Sequence, residues 1–372
     1  MSDSSNSNHS PTVTTLNLSA RSRLDMQNIS EMLAKADNGS FTSFDKVAIA
    51  SMHTTAGFLE QPFATKLGNS AEGIGHLVRS AHRLFPEGAP YWHDQMELRD
   101  ELSEEQRKVE PLNADSHLAF ICLGLCNSVQ YTFDPKNPIY FIDLDGESRG
   151  TFRSRKVLAI GYNDTECIYE QSLSVDMPEQ ERCAVDLSKN ISDFQALAAE
   201  HKIRQGLITF ELEPDENHAG ITVNEFETLL VERDITDVLL NPLKYIKNNV
   251  SEFARKPLMI PRKANKILMY ELHLAIRDGL KWAGRSVSAV EYIAERLHMR
   301  LPLLEYVIDR IANPIEARWM NLGSKARFLI NTEDGETSGS VKIGTYQSPI
   351  LIQWRRPDSD VRRLRARLLR LI

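Results

Sequence analysis

Cysteine is scarce in this chain: four in 372 residues, none in a C-x-x-C pair. Cys122, Cys126, Cys167 and Cys183 therefore read as reduced thiols, not a disulfide framework, and a cytoplasmic location is expected. Long apolar runs are also missing. Stretches such as Ala119–Leu125 fall far below the ~20 residues a spanning helix needs, so no membrane partner is expected. The opening MSDSSNSNHSPTVTT has no basic start followed by an apolar run and predicts no secretory signal. No excess of positive charge is present: the net charge is −7, which offers no general pull toward nucleic acid. No phosphate-binding glycine loop, no G-x-S-x-G and no zinc-finger spacing occurs.

What is there is an ordinary globular composition, 42% apolar and 26% charged, in a length that suits two domains. After a Ser- and Asn-rich arm (1–13), strand-like TLNLSA precedes helical spacing over Met26–Ala36 and a buried strand over Phe44–Met52. A helix over Ala71–Leu84 ends at Pro86–Gly88, and Glu97–Glu110 reads as an exposed helix or inserted loop. Strand-like runs follow at Leu118–Leu123, Ser128–Phe133, Ile139–Leu144 and Arg155–Gly161. The second half repeats the order: a helix over Ile191–Glu200, a strand over Gly206–Leu212 and a helix over Glu225–Leu240. A helical insertion over 264–311 precedes strands at Ala326–Ile330, Ser340–Tyr346 and Ile350–Arg355. The class expected is α+β, with helices on antiparallel or mixed sheets. The terminal Gln353–Ile372 carries seven arginines, and alternation of Leu364, Ala366 and Leu368 with Arg365 and Arg367 predicts a half-buried strand with one basic face.

Histidine concentrates in the first half, at His53, His76, His82, His93 and His117. His53 follows a buried strand, His93 lies in YWHDQ and His117 closes NADSH. Three imidazoles brought together from such positions can ligate a divalent ion such as Zn²⁺ or Mg²⁺ and leave a position open. They can equally act as general acid and base near neutral pH, or serve as hydrogen-bonded structural groups. His76 and His82, on a helix face, read as structural. Asn113 opens a turn rich in capping groups. Asp143 and Asp145 lie two apart, on one strand face, and Arg149, Arg153 and Arg155 follow them, of which Arg155 is the candidate to hold a phosphate.

Taken in order, KVAIASMHTTAG, YWHD, NADSHLAF and IYFIDLDGESRGTFRSRKVLAIG resemble the YjbQ family, the secondary thiamine-phosphate synthase-like proteins. The resemblance covers 14–175 and implies a compact α+β domain, a trimeric or pseudo-symmetric homo-oligomer and a histidine-lined polar pocket. It implies roles for His53, His93, His117 and Asn113 in catalysis, for Thr54 and Thr55 in substrate binding, and for His53, His93 and His117 as metal ligands. Residues 180–372 resemble a diverged second copy. There Glu216-Asn217-His218 replaces His-Thr-Thr, while the Asn-Glu pair lost from the first copy, which reads Gln61-Pro62, survives as Asn224-Glu225. Two tandem domains are therefore expected, and a composite site combining His53, His93 and His117 with Asn224 and Glu225 is weighed against a second copy that only scaffolds. The implied function is a transferase-like enzyme of small phosphorylated or heterocyclic metabolites, with a non-catalytic metabolite- or metal-binding protein as the alternative.

Overall fold

A computed structural model describes residues 10–240 and 323–372, apart from 334 and 358. The expected helical insertion over 264–311 lies outside the described residues, as does most of the N-terminal arm. Thr12 and Val13, assigned to that arm, belong to the first strand.

The first half runs β1 (Thr12–Ser19), β2 (Asp25–Asn28), α1 (Ser30–Lys35), β3 (Lys46–Ser51) and β4 (Ala56–Gly57). Helices α2 (Gln61–Lys66), α3 (Ala71–Leu84), α4 (Glu104–Val109) and α5 (Ala114–Leu123) follow. Then come β5 (Ser128–Thr132), β6 (Tyr140–Asp143), the short pair β7 (Glu147–Ser148) and β8 (Thr151–Phe152), and β9 (Ser154–Tyr162). The second half runs β10 (Thr165–Asp176), β11 (Cys183–Asp186), α6 (Ser188–Glu200), β12 (Gln205–Leu212), β13 (Ala219–Asn224) and α7 (Ile235–Leu240). It closes with β14 (Lys325–Asn331), β15 (Ser340–Lys342), β16 (Ser348–Gln353) and β17 (Val361–Leu371).

The sheets make the two halves directly comparable. The first half has a sheet β1-β9-β3-β5 and a small sheet β2-β6-β4. The second has β10-β17-β12-β14-β15 and β11-β16-β13. Strand for strand, apart from the added β15, the order is the same, and all pairings are antiparallel.

Alternation along the strands assigns the cores. In β3, Val47 and Ile49 face a core with Phe41, Phe58 and Phe141, while Ala48 and Ala50 face the other way. In β9, Val157 and Ala159 take the first side, Leu158 and Ile160 the second. That second side meets Leu207, Leu329 and Leu371 of the other large sheet, so each strand is buried on both faces and reads as a continuous apolar run. A further core joins Ile74, Leu77, Val78 and Ala81 of α3 and Leu118, Phe120 and Ile121 of α5 to Leu230, Val231, Ile235, Val238, Ile350 and Ile352 of the second half. The spacing in α3 is that of an amphipathic helix, and its Ser70 cap accepts from the Gly73 amide.

Two expectations change here. Leu118–Leu123 is the end of helix α5, not a strand: the run LAFICL is buried almost all round, so periodicity cannot distinguish the two, and Gly124 ends it in a left-handed cap at φ 65°. Met26–Asn28 belongs to strand β2, and the helix starts only at Ser30. The arginine-rich terminus is the predicted strand, but its basic face is neutralised: Arg365 pairs with Glu213, Arg367 with Glu211, Arg370 with Glu166 and Arg363 with Asp215. No described helix is long and apolar enough to cross a membrane.

Candidate functional site

The shared core presses α5 of the first half against the end of β13, and that juxtaposition creates the site. Asn113 is the first residue outside α5, and its carbonyl accepts from the His117 amide, so His117 sits one turn into the helix. His93 comes from the irregular segment after α3. A second-half carboxylate holds it there: Asp234 accepts from the amides of Trp92 (3.0 Å) and His93 (2.9 Å). Asp234 has no solvent exposure, and burial pushes its pKa up to about 6 against the pull of those two amides. Nothing in the local sequence marks Asp234 for this role.

The two imidazoles lie with ring centroids 5.2 Å apart, both buried. Their Nδ1 edges are fixed. His93 Nδ1 donates to Asp94 Oδ1 at 3.0 Å, since a carboxylate only accepts, and the same oxygen takes the Ala114 amide. His117 Nδ1 donates to Asn224 Oδ1 at 2.6 Å. The Asn224 amide cannot be turned over, because its Oδ1 also accepts the Glu225 amide and its Nδ2 donates to the Thr54 carbonyl at 3.0 Å. With Nδ1 protonated on each neutral ring, both Nε2 atoms present lone pairs. His117 Nε2 faces Glu225 Oε2 at 3.6 Å with no proton to share. The ligating atoms of His93, His117 and Glu225 lie within 4.8 Å of one another, the metal-capable group among the described residues.

One cation already approaches this spot. Arg99, almost fully buried, donates from Nη1 to His93 Nε2 (3.2 Å) and from Nη2 to Glu225 Oε1 (3.5 Å), and Glu101 and Glu227 hold its other side. Arg99 lies in the polar segment Glu97–Glu110, expected from sequence to be an exposed helix or inserted loop. Burial pushes His117 down to about 4, although Glu225 opposes this. For His93 burial acts in the same sense, but the bond to Asp94 and the charge of Glu225 outweigh it and hold the ring above its ordinary value. The two histidines are thus driven apart.

The remaining candidates fall elsewhere. His53 does not join the histidine pair: its Nε2 accepts from the Lys156 amide at 3.0 Å, and its Nδ1 lies against Arg155 Nη1 at 3.5 Å. Burial, with Arg155 and Arg153 beside it, lowers its pKa to about 4. The third member of the metal-capable group is Glu225 where His53 was expected. Arg155 is buried and fully engaged, forked onto Asp143 at 2.6 and 2.8 Å and donating to the Asp145 carbonyl. Those contacts occupy its Nε and Nη2, the nitrogens that would otherwise fork onto a phosphate. Thr54 contributes its carbonyl to Asn224, and Thr55, buried, its carbonyl to the Leu144 amide. Asn113 Nδ2 donates to Asp145 Oδ2 at 2.7 Å.

No protein-family model and no curated protein matches the sequence. Solved structures do. A YbjQ-like protein of unknown function from Sulfolobus solfataricus P2 is 14% identical, matched over 56% of this chain and 99% of its own, with a TM-score of 0.29. An uncharacterized conserved protein of the YjbQ family from Clostridium acetobutylicum is 19% identical over 39% of this chain and 97% of its own, TM-score 0.27. A hypothetical protein from Aeropyrum pernix K1 is 15% identical over 41% and 99%, TM-score 0.28.

Proposed function

We propose that this chain is an enzyme of small phosphorylated metabolites whose reaction centre is a divalent-cation site formed by His93 and His117 from one domain and Glu225 from the other. The observation that carries the reading is the fixed orientation of the rings. Asp94 and Asn224 hold both Nδ1 edges, so two Nε2 lone pairs and a carboxylate converge on one place, where Arg99 already donates to His93 Nε2 and Glu225 and His117 Nε2 faces the carboxylate with no proton between them. Such outer partners are the usual companions of metal-bound histidine, and two imidazoles with one carboxylate suit Zn²⁺ and related ions. Bound there, the ion would supply a polarised oxygen or an activated water. Asn224 acts as the positioning residue for His117. The same strand order in both halves supports two tandem copies of one domain, each completing what the other lacks.

A second reading has its own support. The opposite displacement of His93 and His117 suits a metal-free pair in which His93, once Arg99 no longer donates to its Nε2, is the acid and neutral His117 the base. Turnover of a panel of phosphorylated metabolites, before and after chelation, tests both. Activity that disappears on chelation and returns with Zn²⁺ or Mg²⁺ supports the metal centre. Activity untouched by chelation but lost in His117→Ala replaces it with the acid–base pair. A protein that binds an ion and turns over nothing in the panel is the binding protein instead.

A further inference from the structure

Beside the histidine site lies a second polar network whose bonding is incomplete. We propose that Arg153, assisted by Arg23, binds the phosphate group of the substrate, at the Asn113 end of the site; the inference rests on the reading of a phosphorylated substrate and names the residues that would recognise it.

The network is built on Asp145. Its Oδ2 accepts from Asn113 Nδ2 (2.7 Å) and forms an ion pair with Arg153 Nη2 (3.0 Å), and Arg23 Nη1 lies 3.6 Å from its Oδ1. Gly146 lets this turn approach the loop of Arg23, because a Cβ there would stand 2.4 Å from the Ser22 carbonyl oxygen. Asp145 is buried, yet its Oδ1 has no hydrogen bond, and neither has the buried Nε of Arg153 or of Arg23, the latter having only an ion pair with Glu87 at 3.4 Å. Buried polar atoms are rarely left in this state, and three in one network call for a common explanation.

The arginines are not equivalent. Arg155, 4% exposed, has its Nε and Nη2 committed to Asp143 and the Asp145 carbonyl. Arg153 is 25% exposed and holds one partner through one nitrogen, and Arg23 is 18% exposed. Both can be reached from outside. Burial lowers the Arg153 pKa, and the like charges of Arg155 and Arg23 add to this against Asp145, so an incoming anion would relieve it.

The chemistry of the ligand follows from the unmet groups. Three arginines face three aspartates and Glu87, since Arg23 also binds Asp115 and Glu87 and Arg155 binds Asp143, so bare positive charge is not on offer. The ligand must bring acceptor oxygens for guanidinium and a hydroxyl for the Asp145 oxygen. A phosphate monoester carrying one proton provides both. The network adjoins the histidines: Asn113 links Asp145 to the start of the helix that carries His117. Glu110, raised by burial and Glu225, is in turn lowered by Arg99, His93 and Arg153, so its carboxylate lies in the field of both clusters.

Calorimetric titration of inorganic phosphate into chelator-treated protein removes any metal contribution. The expected result is saturable binding that Arg153→Gln weakens tenfold or more and Arg153→Lys weakens less, while Arg149→Gln at the exposed turn leaves it unchanged. Absence of phosphate binding, or equal binding by wild type and both Arg153 variants, overturns the proposal and leaves buried water as the partner of these atoms. Phosphate binding through Arg153 in a protein with no turnover defeats the enzyme reading and preserves the subsite.

Discussion

The two halves bury an arginine at the same register and surround it differently. Ala56 pairs with Asp143 in the small sheet of the first half, and Ala219 pairs with Gln353 in that of the second. Ser51 pairs with Val157 and Leu212 with Leu364, so Arg155 and Arg362 correspond, each two residues earlier. Arg155 binds Asp143, the Asp145 carbonyl and the edge of His53. Arg362 binds Gln353, the Arg355 carbonyl and Glu216. The backbone solution is retained while the partners are exchanged: a carboxylate for an amide on the strand, an imidazole for a carboxylate in the loop. The difference teaches that the arginine belongs to the fold and its partners to the local chemistry. Among the described residues, a helix preceded by Asn113 and carrying His117 occurs in the first half, and Asn224 with Glu225 reaches it from the second.

Substitutions at these corresponding places should separate the halves. Arg155→Met strands buried Asp143 and is expected to cost about 3–5 kcal/mol in urea unfolding. Arg362→Met leaves an amide, carbonyls and a carboxylate that Arg363 still contacts, so about 1–3 kcal/mol is expected. Equal losses would mean that the partner exchange has no energetic consequence. Acid should next act through His53. His53 is held near 4 in the fold against about 6.5 unfolded, so between those values the unfolded chain binds more protons. Stability should therefore fall as pH drops from about 6.5 to about 4 and level off below, and His53→Gln should flatten that slope in pH-dependent unfolding. Arg99, contributed by a segment of the first half, occupies the place of a cation between His93 and Glu225. Arg99→Gln should tighten Zn²⁺ binding about tenfold, roughly 1.4 kcal/mol; unchanged affinity would remove Arg99 as a competitor. The smallest effect is expected at Ser103, which caps α4 in a box with Gln106: Ser103→Ala should cost about 1 kcal/mol, read from hydrogen exchange in that helix.

Much of the framework was legible in the sequence. Helix α3 appears at its predicted bounds, and β3, β9, β12 and β17 follow from runs of apolar residues or their alternation. Strand β10 gives only a weak signal: most of its residues are exposed, and the apolar alternation is confined to Leu173 and Val175 near its end. For the site, the motifs supplied His93, His117 and Asn113, and the loss of Asn-Glu from one copy pointed to Asn224 and Glu225. The geometry brings these residues together but leaves His53 outside, since a histidine at a strand end can turn toward its own sheet as readily as toward a cleft. Asp234 and Arg99 were not legible at all. Each acts through long-range contacts, to His93 from 141 positions away and to Glu225 from 126, and neither leaves a local spacing to read.

The central claim is that one site takes ligands from both halves. Its most direct test is calorimetric titration of Zn²⁺ into chelator-treated wild type, His117→Ala and Glu225→Gln. The account predicts one ion per chain in the wild type, with affinity reduced at least tenfold by either substitution although the two residues belong to different halves. Absence of binding in the wild type, or full affinity in Glu225→Gln, would contradict it.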